Sequence, residues 1–95
     1  MARRIEYSEA AFADLAELTR YGALEFGVAA SRAFAAQIKS TVRTLSDFPF
    51  AGEATPGETF RTFVVRSHRI FYRAEDDRLL VLRILHARQL PPGLV

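Results

Sequence analysis

The stretch Val28 to Pro49, VAASRAFAAQIKSTVRTLSDFP, decides the fold. Its apolar residues Ala30, Phe34, Ile38, Val42, Leu45 and Phe48 step by four, four, four, three and three, the spacing that lays one stripe along an α-helix. Arg32, Gln37, Lys39 and Arg43 lie mainly away from that stripe, so one side of the helix faces a core and the other faces water. Pro49 ends it, because proline has no N–H for the hydrogen-bond ladder and biases Phe48 away from helical torsions. The spacing predicts a helix over Val28–Phe48.

Upstream, Gly27 breaks this helix from another. Ser8 offers an N-cap oxygen, and Glu9 and Asp14 place negative charge near a helix start, where the helix dipole favours it. Ala11, Leu15, Leu18 and Phe12 recur every three or four residues, while Asp14, Glu17 and Arg20 fall largely elsewhere, which predicts a helix over Glu9–Phe26. The short break makes the two helices an antiparallel hairpin. Before them, Ile5 and Tyr7 alternate with Arg4 and Glu6 within Ala2–Tyr7, the period of a half-buried strand.

Downstream, Pro49–Thr59 holds two prolines and two glycines and reads as a surface loop. Three strand-like runs follow, Phe60–Arg66, His68–Ala74 and Arg78–Ala87, joined as tight hairpins around Ser67 and Glu75-Asp76-Asp77. The reading is an α+β domain of pattern β-α-α-β-β-β, a helical hairpin packed on a small antiparallel-rich sheet. Residues 1–95 form a single domain, with 89–95 a C-terminal tail because of its prolines. The last two strands are apolar on more than one side. That surplus is either a partner surface or is wrapped by the chain's own helix ends and tail.

Composition narrows the classes. In 95 residues, 49% are hydrophobic and 25% charged, enough to bury one core without disulfides or metal. Zero cysteines exclude thiol nucleophiles and thiolate zinc sites, and fit a reducing compartment, so the cytoplasm is the expected location. No run reaches the roughly 18 apolar residues of a membrane span. Residues 1–58 carry six cations and eight acids, a net −2, whereas residues 59–95 carry seven arginines and three acids, a net +4. Twelve of the thirteen cations are arginine, whose fork suits phosphate or carboxylate, although an alanine-rich genome composition produces the same bias.

The ordered motifs carry a resemblance. They are Tyr7-Ser8-Glu9-Ala10-Ala11 with Asp14-Leu15, Gly27, Leu45-Ser46-Asp47-Phe48-Pro49 with Gly52, Arg61-Thr62-Phe63, His68-Arg69-Ile70-Phe71-Tyr72-Arg73 and Leu82-Arg83-Ile84-Leu85-His86-Ala87-Arg88. In order and spacing, over nearly the whole chain, they resemble the ParE/RelE toxin superfamily, more closely its ParE branch. That resemblance implies a bacterial type II toxin neutralised by a cognate antitoxin, commonly of ribbon-helix-helix, ParD-like type. It also implies a toxin–antitoxin hetero-oligomer that reaches operator DNA only through the antitoxin. The ParE branch implies poisoning of DNA gyrase by binding, with no cofactor. The RelE branch implies ribosome-dependent cleavage of messenger RNA, and a third reading is a non-toxic antitoxin-binding corepressor.

Cleavage through the 2′-hydroxyl needs a base, an acid and cations facing the phosphate. Arg69 and Arg88 match RelE-like arginines by position, and His86 shares a strand face with Arg88 if the strand extends that far. The RelE-like lysines are missing from Gly52–Glu58, Gln89-Leu90-Pro91 follows Arg88, and Glu53 and Glu58 are loop carboxylates. The bland readings are a strand arginine paired with Glu75 or lying over Tyr72, a strand-end histidine, and a hairpin turn for Asp76-Asp77. His68 and His86 suggest no metal. The target-contact candidates are Arg61, Arg69, Arg83, His86 and Arg88, and the catalytic set under the RelE reading is Arg69, His86 and Arg88. The antitoxin-binding candidates are Leu18, Phe34, Phe71, Leu80 and Leu82, with self-association the competing use of that surface.

Overall fold

The computed structural model describes residues 2–89. The elements are β1 (Arg4–Tyr7), α1 (Glu9–Phe26), α2 (Val28–Asp47), β2 (Glu53–Ala54), β3 (Arg61–Val65), β4 (His68–Ala74) and β5 (Arg78–His86). The strands form one sheet in the order β1-β5-β4-β3-β2, with the helical hairpin against one face. This is the expected α+β architecture, with two additions. Glu53–Ala54, expected as loop, pairs antiparallel with Arg61 and Thr62 as a fifth strand. The sheet is also mixed, because β1 runs parallel to β5, Arg4 opposite Arg78 through Tyr7 opposite Val81. Two residues between a proline-ended helix and a glycine-containing loop carry no period that marks a strand.

Both helices form where their stripes place them, although Phe12, expected among the apolar positions of α1, is 66% exposed. Ser8 caps α1, its Oγ accepting from the Ala11 N–H at 3.0 Å. Gly27 separates the helices at φ +93°, a left-handed conformation that a side chain would strain, and its N–H closes α1 onto the Ala23 carbonyl. The stripe of α2 is buried in its middle, at Ile38, Val42 and Leu45, and emerges at its ends: Phe34 is half-buried, Ala30 exposed and Phe48 66% exposed. Phe48 is the C-cap of the helix, which ends at Asp47.

Those three α2 residues pack with Ala11 of α1 on Ile70, Tyr72, Leu79, Val81 and Ile84, the inner face of β4 and β5. Burying a side chain of this size contributes about 1.5–3 kcal/mol, so the inner face holds the domain together. Tyr72, fully buried, satisfies its hydroxyl by donating to the Pro49 carbonyl and accepting from the Gly52 N–H, at 2.8 and 2.9 Å. That fixes the segment following α2 against the sheet. Any Cβ at Gly52 would collide with this hydroxyl, which is why glycine stands there.

β1 is shorter than β5, and α1 completes the exposed edge. Ser8 N–H donates to the Val81 carbonyl and Ser8 Oγ to the Leu82 carbonyl, while Asp14 Oδ2 accepts from the Ile84 N–H. Opposite, the β4–β5 register slips. Phe71 faces Arg83 but Tyr72 faces Val81, so Leu82 is an extra residue. The bulge restores Ile84 to the core face.

Candidate functional site

The outer face of the sheet, opposite the helices, carries Thr62 and Val64 of β3, Arg69, Phe71 and Arg73 of β4, and Leu80 and Leu85 of β5. Phe71 and Leu85 are buried although no helix covers them. Phe60 tilts over Phe71 at 5.8 Å between ring centroids, so the chain's own loop covers part of this second apolar face. What remains open is a cleft of about 540 Å³, lined among others by Glu53, Phe60, Arg69, Phe71 and His86. Arg69 is exposed here. It pairs neither with Glu75, which holds Arg73 and Arg78, nor with any other acid in a salt bridge among the described residues.

A second cavity of about 810 Å³ lies between the hairpin and the ends of β4 and β5, lined by Leu18, Tyr21, Phe34, Arg66, His68 and His86 among others. His68 and His86 oppose each other across β4 and β5, their rings edge-to-face at 5.3 Å. His68 also tilts against Phe34 at 5.2 Å. Burial, then the neighbouring His86, pushes the His68 imidazole below its ordinary value. Arg66, in the β3–β4 turn at φ +54°, extends its guanidinium over Phe34 at 6.0 Å. No three potential metal-ligating side chains gather among the described residues.

The five expected target-contact residues stand in different states. Arg83 makes two hydrogen bonds to Asp14, at 2.7 and 2.9 Å, a partly buried fork that ties β5 to α1. Its charge is neutralised within the fold, and Asp14 in turn strengthens the guanidinium's hold on its proton. Arg61 donates to the Gly52 carbonyl at 2.9 Å and lies over the Phe50 ring at 4.9 Å. Arg69 faces the outer cleft. β5 ends at His86, so Arg88 does not share a strand face with it. Arg88 sits in the turn that follows, its backbone N–H bonded to His86 Nδ1 at 3.1 Å. Gln89 belongs to the same turn, whereas residues 90–95, the rest of the expected tail, lie outside the described residues.

The expected antitoxin-binding residues do not form one surface. Leu18 and Phe34 line the hairpin cavity, Phe71 floors the outer cleft, Leu80 pairs opposite Arg73 on the outer face, and Leu82 is the bulge residue. One straight helix cannot span the hairpin and the outer face, because they lie on opposite sides of the sheet. The sequence reading missed Asp14 as the partner of Arg83 and of the β5 edge, and Gln89 as a turn residue. Nothing in spacing links Asp14 to Arg83, 69 residues away.

A family model described as the ParE toxin of the type II toxin–antitoxin system parDE matches residues 5–91. The chain belongs to the ParE toxin family. It is a toxin of the type II toxin–antitoxin class, in the ParE/RelE superfamily. Comparison with curated proteins gives no match. Among solved structures it is similar to a chromosomal ParDE system from P. aeruginosa, at TM-score 0.79 and 18% identity, covering 90% of this chain and 96% of that one. A RelBE2 toxin–antitoxin complex from Mycobacterium tuberculosis gives TM-score 0.68 and 21% identity over 90% and 99% of the two chains. A mutant of the E. coli toxin RelE in the free state gives 0.70 and 17% over 93% and 86%. At these identities the likeness is one of fold, and the ParE fold here carries the helical hairpin and mixed sheet of both branches.

Proposed function

We propose that this ParE-family toxin acts by binding, poisoning DNA gyrase, and is neutralised by direct contact with a cognate antitoxin of ribbon-helix-helix, ParD-like type. The observation that carries the reading is the ParE family match over residues 5–91. The cleft chemistry supports it. Arg69 is the exposed cation there, Glu53 is a surface carboxylate on a two-residue strand, and His86 Nδ1 is occupied by a backbone N–H. Cleavage chemistry needs an acid and a base aimed at one phosphate, and these groups are arranged for contact instead. Among the five candidates, Arg69 and Arg88 are the exposed arginines, open to acidic protein surface or DNA phosphate, and Arg83 serves the fold.

The antitoxin, on this reading, is an extended segment that wraps the domain, using Leu18 and Phe34 on one side and the rim of Phe71 on the other. Wrapping suits a partner that orders on binding. The RelE-like ribonuclease reading keeps one supporting observation, that Arg69 and Glu53 line the same cleft. Purified toxin incubated with gyrase, ATP and supercoiled plasmid, then digested with protease, is expected to yield linear DNA that requires gyrase and disappears when antitoxin is added. Intact plasmid together with truncated messenger RNA on toxin expression would move the assignment to the ribosome.

A further inference from the structure

His86 is joined to the turn behind it through three of its atoms. Its N–H donates to Gln89 Oε1 at 2.7 Å, its carbonyl accepts from the Gln89 N–H at 2.8 Å, and its Nδ1 accepts from the Arg88 N–H at 3.1 Å. The neighbouring Ala87 N–H is held by the Ser67 carbonyl at 2.7 Å, so the base of the turn is pinned to the β3–β4 turn. An imidazole nitrogen that accepts carries no proton, so the ring stands as the neutral Nε2–H tautomer. A proton added at Nδ1 would remove the acceptor and set two hydrogens facing each other.

We infer that His86 is a positioning residue: its Nδ1 acceptor fixes the turn that presents Arg88. This rests on the reading of Arg88 as a target contact. The groups facing His86 are His68 on β4, Asp14, Glu17 and Tyr21 on α1 and Arg66 in the β3–β4 turn across one cavity, Glu53 and Arg69 across the other, and Arg88 behind it. Asp14 and Glu17 are already paired with Arg83 and Arg20.

The test uses the full chain, labelled with nitrogen-15. At pH 7.5, His86 is expected to show the Nε2–H tautomer. Hydrogen exchange of the Arg88 amide, normalised to its intrinsic rate, should be slow in the parent. His86→Asn keeps an acceptor close to the place of Nδ1 and should hold exchange slow. His86→Gln moves the acceptor outward and should raise exchange roughly fivefold, as loss of one hydrogen bond predicts. In the plasmid assay at pH 7.5, His86→Asn should stay within about twofold of the parent and His86→Gln should lose roughly fivefold, with Arg88→Ala losing at least as much. An Nδ1–H tautomer, or an Arg88 amide as protected in His86→Gln as in the parent, overturns the role of His86 alone. Undiminished poisoning by Arg88→Ala overturns Arg88 as a contact, and the positioning role with it, whatever the amide shows.

Discussion

Asp14 accepts three hydrogen bonds through its two carboxylate oxygens, two from Arg83 and one from the Ile84 backbone. Its side chain is 14% exposed, so removing it strands a guanidinium and an edge N–H together. Asp14→Ala is expected to destabilise by about 3 kcal/mol, at the upper end for a charged hydrogen-bonding group. Arg83→Ala leaves the carboxylate with the Ile84 N–H and some water, and should lose only about half as much. Urea unfolding midpoints read both, and equal losses would remove the edge-capping role from Asp14. For Arg83 this separates two explanations of any lost toxicity. If Arg83 serves the fold, an Arg83 variant matched to the parent in folded fraction keeps its potency.

α1 behaves as the continuation of β1 by other means, since its cap and first turns supply the hydrogen bonds a longer strand would make to β5. Ser8 is the hinge of that arrangement, capping α1 and donating to Leu82 at 2.8 Å with one hydroxyl. Ser8→Ala should cost about 1–2 kcal/mol, because a cap and a sheet-edge bond go together. Amide exchange would locate the loss at Ala11 and along Leu82–Ile84, and loss confined to the helix would refute the link. Periodicity made both helices and β3, β4 and β5 legible from the residues, because side-chain direction repeats locally. It could not show β2, which is too short for a period, the Leu82 bulge, or β1 choosing a parallel partner. The site was legible in part. Arg69 and His86 stood out by residue type and strand position, but Arg83 looked as available as they did, since only the folded chain brings Asp14 to it.

At the scale of the whole domain, His68, Glu6 and Glu75 are among the acid-sensitive groups that set the pH range of stability. His68 has its proton affinity lowered by burial and by His86, so below its ordinary value of 6.5 the unfolded chain takes up a proton that the native state resists. Stability present above pH 6.5 therefore declines as the pH falls past it. Glu6, through Arg4 and then Arg78, and Glu75, through Arg78 and then Arg73, are held below the ordinary 4.5, and their contribution fades as the pH drops beneath that value. Urea midpoints should therefore fall in two stages, below pH 6.5 and again below 4.5. His68→Gln should abolish the first stage, and a first stage that survives it would shift the effect to another group. The parallel pairing of Arg4–Tyr7 with Arg78–Val81 has a different reach. The strand made first waits for the strand made last, and the Arg88 turn is made later still. A nascent chain whose β5 has not yet emerged therefore cannot close this sheet. Translation through β5 sets the earliest moment at which an antitoxin has a finished sheet to recognise.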